Sequence, residues 1–197
     1  MKKNIRNTLI TILVAVSIAS AACTAAAPAP ASQASPALGA QETAALLFMV
    51  EEEKLAHDVY SALAAKWNAQ AFANIAASEE KHVAEVSRLL STYNIASPLK
   101  QPGVFTNPDL QQLYNQLVAQ GSQSLAEAYK VGIAIEELDI RDLQTRLTQT
   151  SNASITLVFN NLIRASQNHL QAFTRASTGQ NQPAGRGRPN WAGGPNH

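Results

Sequence analysis

The sequence predicts an all-α protein of four long helices, with one long crossover between the second and the third. Three observations predict it. Apolar residues recur at three- and four-residue steps through four stretches of the middle of the chain, about 42 to 177. No segment alternates apolar and polar side chains strongly enough to make a strand. The links between the stretches are short, except for one broken by Pro and Gly in "NIASPLKQPGVFTNPDL".

The first helix is expected from about Glu42 to Lys66. Its stripe is Leu46, Met49, Val50, Glu53, Ala56, Tyr60, Leu63 and Trp67. The second runs from about Ala69 to Tyr93 on Phe72, Ile75, Ala76, Glu79, His82, Val83, Val86, Leu89, Leu90 and Tyr93. In the crossover, Asn107 followed by Pro108 reads as a cap and a first-turn proline. A short helix to about Val118 follows, with Leu110, Leu113, Tyr114 and Leu117 inward. Gly121 ends it, and Ser122 is expected to cap the third long helix, which continues to about Thr148. Asn152 or Ser151 caps the fourth, which reaches about Ala176 with Ile155, Val158, Phe159, Leu162, Ser166, His169 and Phe173 inward. At about 1.5 Å per residue each long helix measures roughly 35 Å. Short links make antiparallel neighbours.

The ends of the chain read differently. Residues 1–22 have a basic start (Lys2, Lys3, Arg6), a short apolar run and then small residues, the pattern of a signal peptide. The run is short for a membrane span, which needs about 20 residues. Cys23, the single cysteine, stands where a lipoprotein cysteine would stand, although Ser20 occupies a position where Leu or Val is usual. Cleavage after Ala21 or Ala22, with Cys23 incidental, is the other reading. Residues 23–41 are a Pro/Ala/Ser linker, and 178–197 a Gly/Pro/Asn tail, neither able to bury a core. These expectations place an exported protein in the cell envelope, tethered to the membrane by lipid, or otherwise periplasmic or secreted. The formal charge is +1 and turns slightly negative once the three leader cations are removed, which excludes a general nucleic-acid binder. No disulfide can form within the chain, so the fold rests on its core.

Within the apolar stripes stand residues that do not belong to a dry core. Glu79 and His82, three apart, project from one face of the second helix. Glu53 lies in the stripe of the first helix, Glu136 in that of the third with Asp139 one turn on, and His169 lies between Leu162 and Phe173 in the fourth. A buried carboxylate is costly unless paired or bound to a cation. Taken singly, Glu79 and His82 could serve only each other, His169 could be a satisfied core histidine, and Glu53 could face solvent. Four helices repeating the pattern point instead to a shared metal ion. Carboxylate plus imidazole favours iron, manganese or zinc. Glu52 shares a stripe with Phe48, Leu55 and Val59, so the choice between Glu52 and Glu53 stays open. Glu137 and His57 rank second, and Tyr60, Tyr93 and Tyr129 could hydrogen-bond to ligands.

The segments "EEEKLAHDVY", "FANIAASEEKH", "IEELDIRDL" and "NLIRASQNHLQAF", in that order, resemble the rubrerythrin-related branch of the ferritin-like superfamily. The resemblance covers about Ala44 to Phe173. It implies a ferritin-like four-helix bundle over residues 42–177, the short crossover helix included, and a di-iron centre. Such centres use one Glu from each of two helices and Glu-x-x-His from each of the other two. Carried over, the ligands are Glu53, Glu79, His82, Glu136 and His169, with Asp139 as an additional carboxylate. Ser166 departs from the pattern, because a Glu is wanted three residues before His169; Asp139, Glu137 or His57 would have to replace it. No cysteine-rich electron-transfer module is present in the sequence, so redox work needs an external electron donor. The implied chemistry is iron oxidation or reduction of peroxide or oxygen. The alternative is a non-catalytic metal-binding or envelope interaction module with one ion or none. A homodimer is compatible with either.

Overall fold

The computed structural model describes residues 37–179, which form five helices and, among these residues, no strand. They are α1 (Ala40–Trp67), α2 (Gln70–Thr92), α3 (Pro108–Gly121), α4 (Leu125–Leu147) and α5 (Ala153–Ser177). The expected leader 1–22, the anchor Cys23, nearly all of the linker and nearly all of the tail lie outside the described residues.

Local chemistry sets the helix ends. The Glu42 side chain accepts from the backbone N–H of Gly39 and opens α1 two residues before its expected start. Asn68, at φ 49°, takes the left-handed conformation that ends α1, and α2 begins after only Ala69. Asn107 Oδ1 accepts from the N–H groups of Asp109 and Leu110 and caps α3, with Pro108 as its first residue. Asn152 does the same for α5 through Ser154 and Ile155. The cap of α4 is Ser124, whose Oγ accepts from Glu127 N–H, and not Ser122 as expected. Ser122 is used up at the C-terminal end of α3, where its N–H donates to Val118 O, so α3 runs three residues beyond Val118.

α1 packs along α2 and α4 along α5; α2 also meets α5, α1 meets α4, and α3 lies against α1 and α4. The apolar interior divides into two clusters. One joins Leu55–Leu63 of α1 to Phe72 and Ile75, Val131 and Ile135, Phe173 and the α3 residues Leu110 and Leu117. The other joins Leu46, Met49 and Val50 to Val86, Leu89 and Leu90, Leu143, and Ile155 to Ile163. Each fully buried Leu or Phe contributes about 1.5–3 kcal/mol. The chain order through the clusters reverses from α1 to α2 and from α4 to α5, so both pairs are antiparallel. Every long helix crosses from one cluster to the other, and each carries its misplaced polar residues at the crossing: Glu53 on α1, Glu79 and His82 on α2, Glu136 and Asp139 on α4, Ser166 and His169 on α5.

Buried charge fastens the crossover to α1. Glu51 accepts from the N–H groups of Thr106 and Asn107, at 2.5 and 3.2 Å. Asp58 pairs with Lys54 and accepts from Gly103 N–H at 2.8 Å, while Lys54 Nζ sits 4.2 Å from the centre of the Phe105 ring. At the end of α3, the carbonyl of Gly121 accepts from Trp67 Nε1–H at 2.8 Å.

Candidate metal centre

Glu53, Glu79, His82, Glu136 and Asp139 are each 1–6% exposed, and the His169 side chain 12%. Ligand-capable atoms of Glu53, Glu79 and His82 lie within 4.8 Å of one another, and so do those of Glu79, Glu136 and His169. An ion held at about 2.0–2.2 Å spans ligand atoms up to about 4.4 Å apart, which is the scale of these groups. Glu79 belongs to both. Its Oε2 lies 2.6 Å from His82 Nδ1, and its Oε1 lies 2.7 Å from His169 Nδ1.

These close approaches are not all hydrogen bonds. His82 Nδ1 is aligned with Glu53 Oε2 at 3.2 Å. Glu79 Oε1 and His169 Nδ1, although nearer, are misaligned and both lack a hydrogen-bond partner. Glu53 Oε1 and Asp139 Oδ1 are likewise buried and unpaired. Atoms that converge without sharing a proton in line are what co-ligands of one cation look like, and a buried acceptor without a partner is otherwise costly.

The electrostatics agree. Burial pushes the Glu53 carboxyl up to about 8 and that of Glu136 up to about 7, against their contacts with His82 and His169 and with the Glu79 charge adding to the rise. Burial and the charge of Glu53 lift Asp139 well above its usual range. Glu79 goes the other way, to about 2: burial raises it, but the two imidazoles outweigh that. Burial opposes charge on His82 and His169, yet the surrounding carboxylates raise them to about 11 and about 9. Two imidazoles therefore face four buried carboxyls, and this donor set fits a hard or borderline divalent cation. Tyr60 closes one side, its O–H donating to Glu136 Oε1 at 2.8 Å.

Of the expected ligands, five fall into the two groups. Asp139 stands beside them without joining either: its Oδ2 accepts from Ser166 Oγ at 2.6 Å. Between Glu52 and Glu53 the geometry favours Glu53. Glu52 is equally buried, with both oxygens unpaired, and its electrostatic neighbours are Asp139, Asp142 and Arg146. His57 pairs with Asp58, and Glu137 is exposed. Tyr93 bonds to Asn152, while Tyr129 stacks on Phe72. Sequence reasoning did not foresee the structural use of Glu51, Lys54 and Asp58; the structure buries all six residues from Glu51 to Ala56, a pattern that no local sequence signal announces.

An all-helical protein with a buried carboxylate–imidazole layer able to hold cations is the class that fold and site define. The chain belongs to the family described as uncharacterized protein domain (DUF2202), which matches residues 42–183. It is 47% identical over 137 residues to the uncharacterized protein MJ0754 of Methanocaldococcus jannaschii, covering 68% of this chain and 74% of that protein. The crystal structure of the hypothetical protein MJ0754 from Methanococcus jannaschii DSM 2661 matches with a TM-score of 0.73 at 44% identity, over 74% of this chain and 85% of that one.

Proposed function

We propose that this protein is a ferritin-like metal protein with a two-cation centre, iron foremost, working in iron oxidation or in the reduction of peroxide or oxygen. Manganese or zinc suits the same ligands. The observation that carries the reading is Glu79, which offers one carboxylate oxygen to each of two histidines on different helices. Four long helices with a helix-bearing crossover between the second and third support the ferritin-like assignment.

Glu53 and His82 would hold one ion, Glu136 and His169 the other, and Glu79 both. Iron bound there would supply one-electron redox chemistry. The chain's own part is to hold these groups in place, to keep water out with the apolar clusters on either side, and to fix Glu136 through the Tyr60 hydroxyl. Electrons would come from an external donor. Export and lipid anchoring at Cys23 complete the proposal; among the described residues no helix is long and apolar enough to cross a membrane.

Metal analysis of the purified full chain tests this. Two irons per chain, with peroxide turnover abolished in Glu79→Ala, is the expected result. The rival is a non-catalytic protein with a single ion, favoured by Ser166, which brings no carboxylate from α5. One zinc per chain and no turnover would decide for it.

A further inference from the structure

The layer has an internal asymmetry. On α2, the residue one turn before the histidine is the shared Glu79. On α5, the corresponding residue before His169 is Ser166, which is 1% exposed and neutral. A hydroxyl there cannot balance a second cation. Yet Ser166 Oγ lies 2.6 Å from Asp139 Oδ2, on α4.

We infer that Asp139 is the second carboxylate shared by the two cation positions, supplied by α4 in place of α5, and that Ser166 is the positioning residue that aims it. This rests on the two-cation reading above. Three observations carry it. Asp139 is buried, and its Oδ1 has no hydrogen-bond partner. Glu53 Oε1 is in the same condition, so the first group also has an unused oxygen. Asp139 follows Glu136 by one helical turn, so both project from one face of α4.

Ser166 has one proton to give. Leu162 O, at 3.0 Å, competes for it. The contact to the Asp139 carboxyl oxygen is the shorter of the two and takes the proton. That bond occupies Oδ2 and leaves Oδ1 for the centre. The arrangement moves the missing charge one helix over, and the hydroxyl at the vacated position orients it.

The experiment is calorimetric titration of the full chain with Zn²⁺, backed by elemental analysis, on wild type, Asp139→Asn, Ser166→Ala, Ser166→Thr and the exposed control Glu137→Gln. Circular dichroism checks that each variant folds. The expected wild type binds two ions in resolvable steps, and Glu137→Gln matches it. Asp139→Asn binds one. Ser166→Ala keeps two but weakens one step by about 10–100-fold, the usual effect of losing an outer partner of a ligand. Ser166→Thr, which keeps the hydroxyl, recovers most of that loss. Should Asp139→Asn fail to fold, the Ser166 pair still decides. Two unchanged steps in Asp139→Asn, or a Ser166→Ala variant altered in melting temperature alone, overturn the inference and leave the two-cation reading standing. A wild type that binds no ion, or one, overturns both.

Discussion

The imidazoles of His82 and His169 face each other across the layer, ring centres 5.5 Å apart and planes 21° from parallel, with Glu79 reaching both. Near-parallel rings belonging to different helices, each with Nδ1 turned to the same carboxylate, form two half-sites with a common member.

That relationship makes substitutions unequal. Glu79→Ala should abolish binding of both ions, whereas His169→Ala should remove one and retain the other. Elemental analysis after dialysis against iron or zinc gives the count. Equal losses in the two variants would break the assignment. Bound metal should also raise the melting temperature of the wild type, reversibly with a chelator, because an ion held only by the folded state stabilises it.

Tyr60→Phe isolates a single bond. The ring stays in its aromatic cluster, 5.0 Å from Phe173 and 6.0 Å from Phe72, while Glu136 loses its donor. A hydrogen bond to a charged acceptor is worth about 1.5–3 kcal/mol. Chemical unfolding of the metal-free protein above about pH 7, where Glu136 is charged, should show a loss of that order, with helix content unchanged.

At Gly132, the α4 backbone lies directly against the Phe173 ring of α5. A Cβ there would lie 2.8–2.9 Å from ring atoms of Phe173. The ring is wedged between Tyr60 and Phe72 and has little room to retreat. Gly132→Ala should therefore cost about 1–3 kcal/mol by overpacking, despite the better helix propensity of alanine. A stabilised variant would refute the close packing described.

Asp58 and His57 give stability a pH dependence on both sides of neutrality. Burial raises the Asp58 carboxyl, but hydrogen bonds from His57, Lys54 and Gly103 outweigh it and hold it below its usual 3.8. That contribution is present above 3.8 and lost as pH falls through the depressed value. His57 is held above its usual 6.5 by its bond to Asp58, against burial; the charge of Glu80 adds and that of Lys54 opposes. That contribution is present below 6.5 and lost as pH rises through the raised value. The stability gap between wild type and Asp58→Asn, measured with a chelator present, should be widest in mildly acidic solution and narrow in both directions. A gap independent of pH would sink this account.

The all-helical class and the helix positions were legible because helix periodicity and caps are local. The stripe through Leu46, Met49 and Tyr60, and the Asn107–Pro108 and Asn152 starts, need no tertiary information. Glu79 and His82 were legible for the opposite reason, as charge on an apolar face. The three glutamates 51–53 were not separable. Consecutive helical residues point about 100° apart, and a residue is expected to reach water on at least one of three such directions. Here the crossover covers the outer side, so Glu51 meets backbone N–H groups of 106–107, Glu52 neighbours Asp139 and Asp142, and Glu53 reaches His82. Ser122 was mistaken for a cap because two serines two residues apart satisfy the same rule, and only the length of α3 decides between them.

The bond from the Trp67 indole to the Gly121 carbonyl joins the end of α1 to the last residue of α3. The chain has two tryptophans, the other being Trp191 in the tail. In a Trp191→Phe background, fluorescence emission would come from Trp67 alone. The molecule thus carries its own optical gauge, one that reads the seating of the crossover helix separately from the far ultraviolet signal of the helices as a whole.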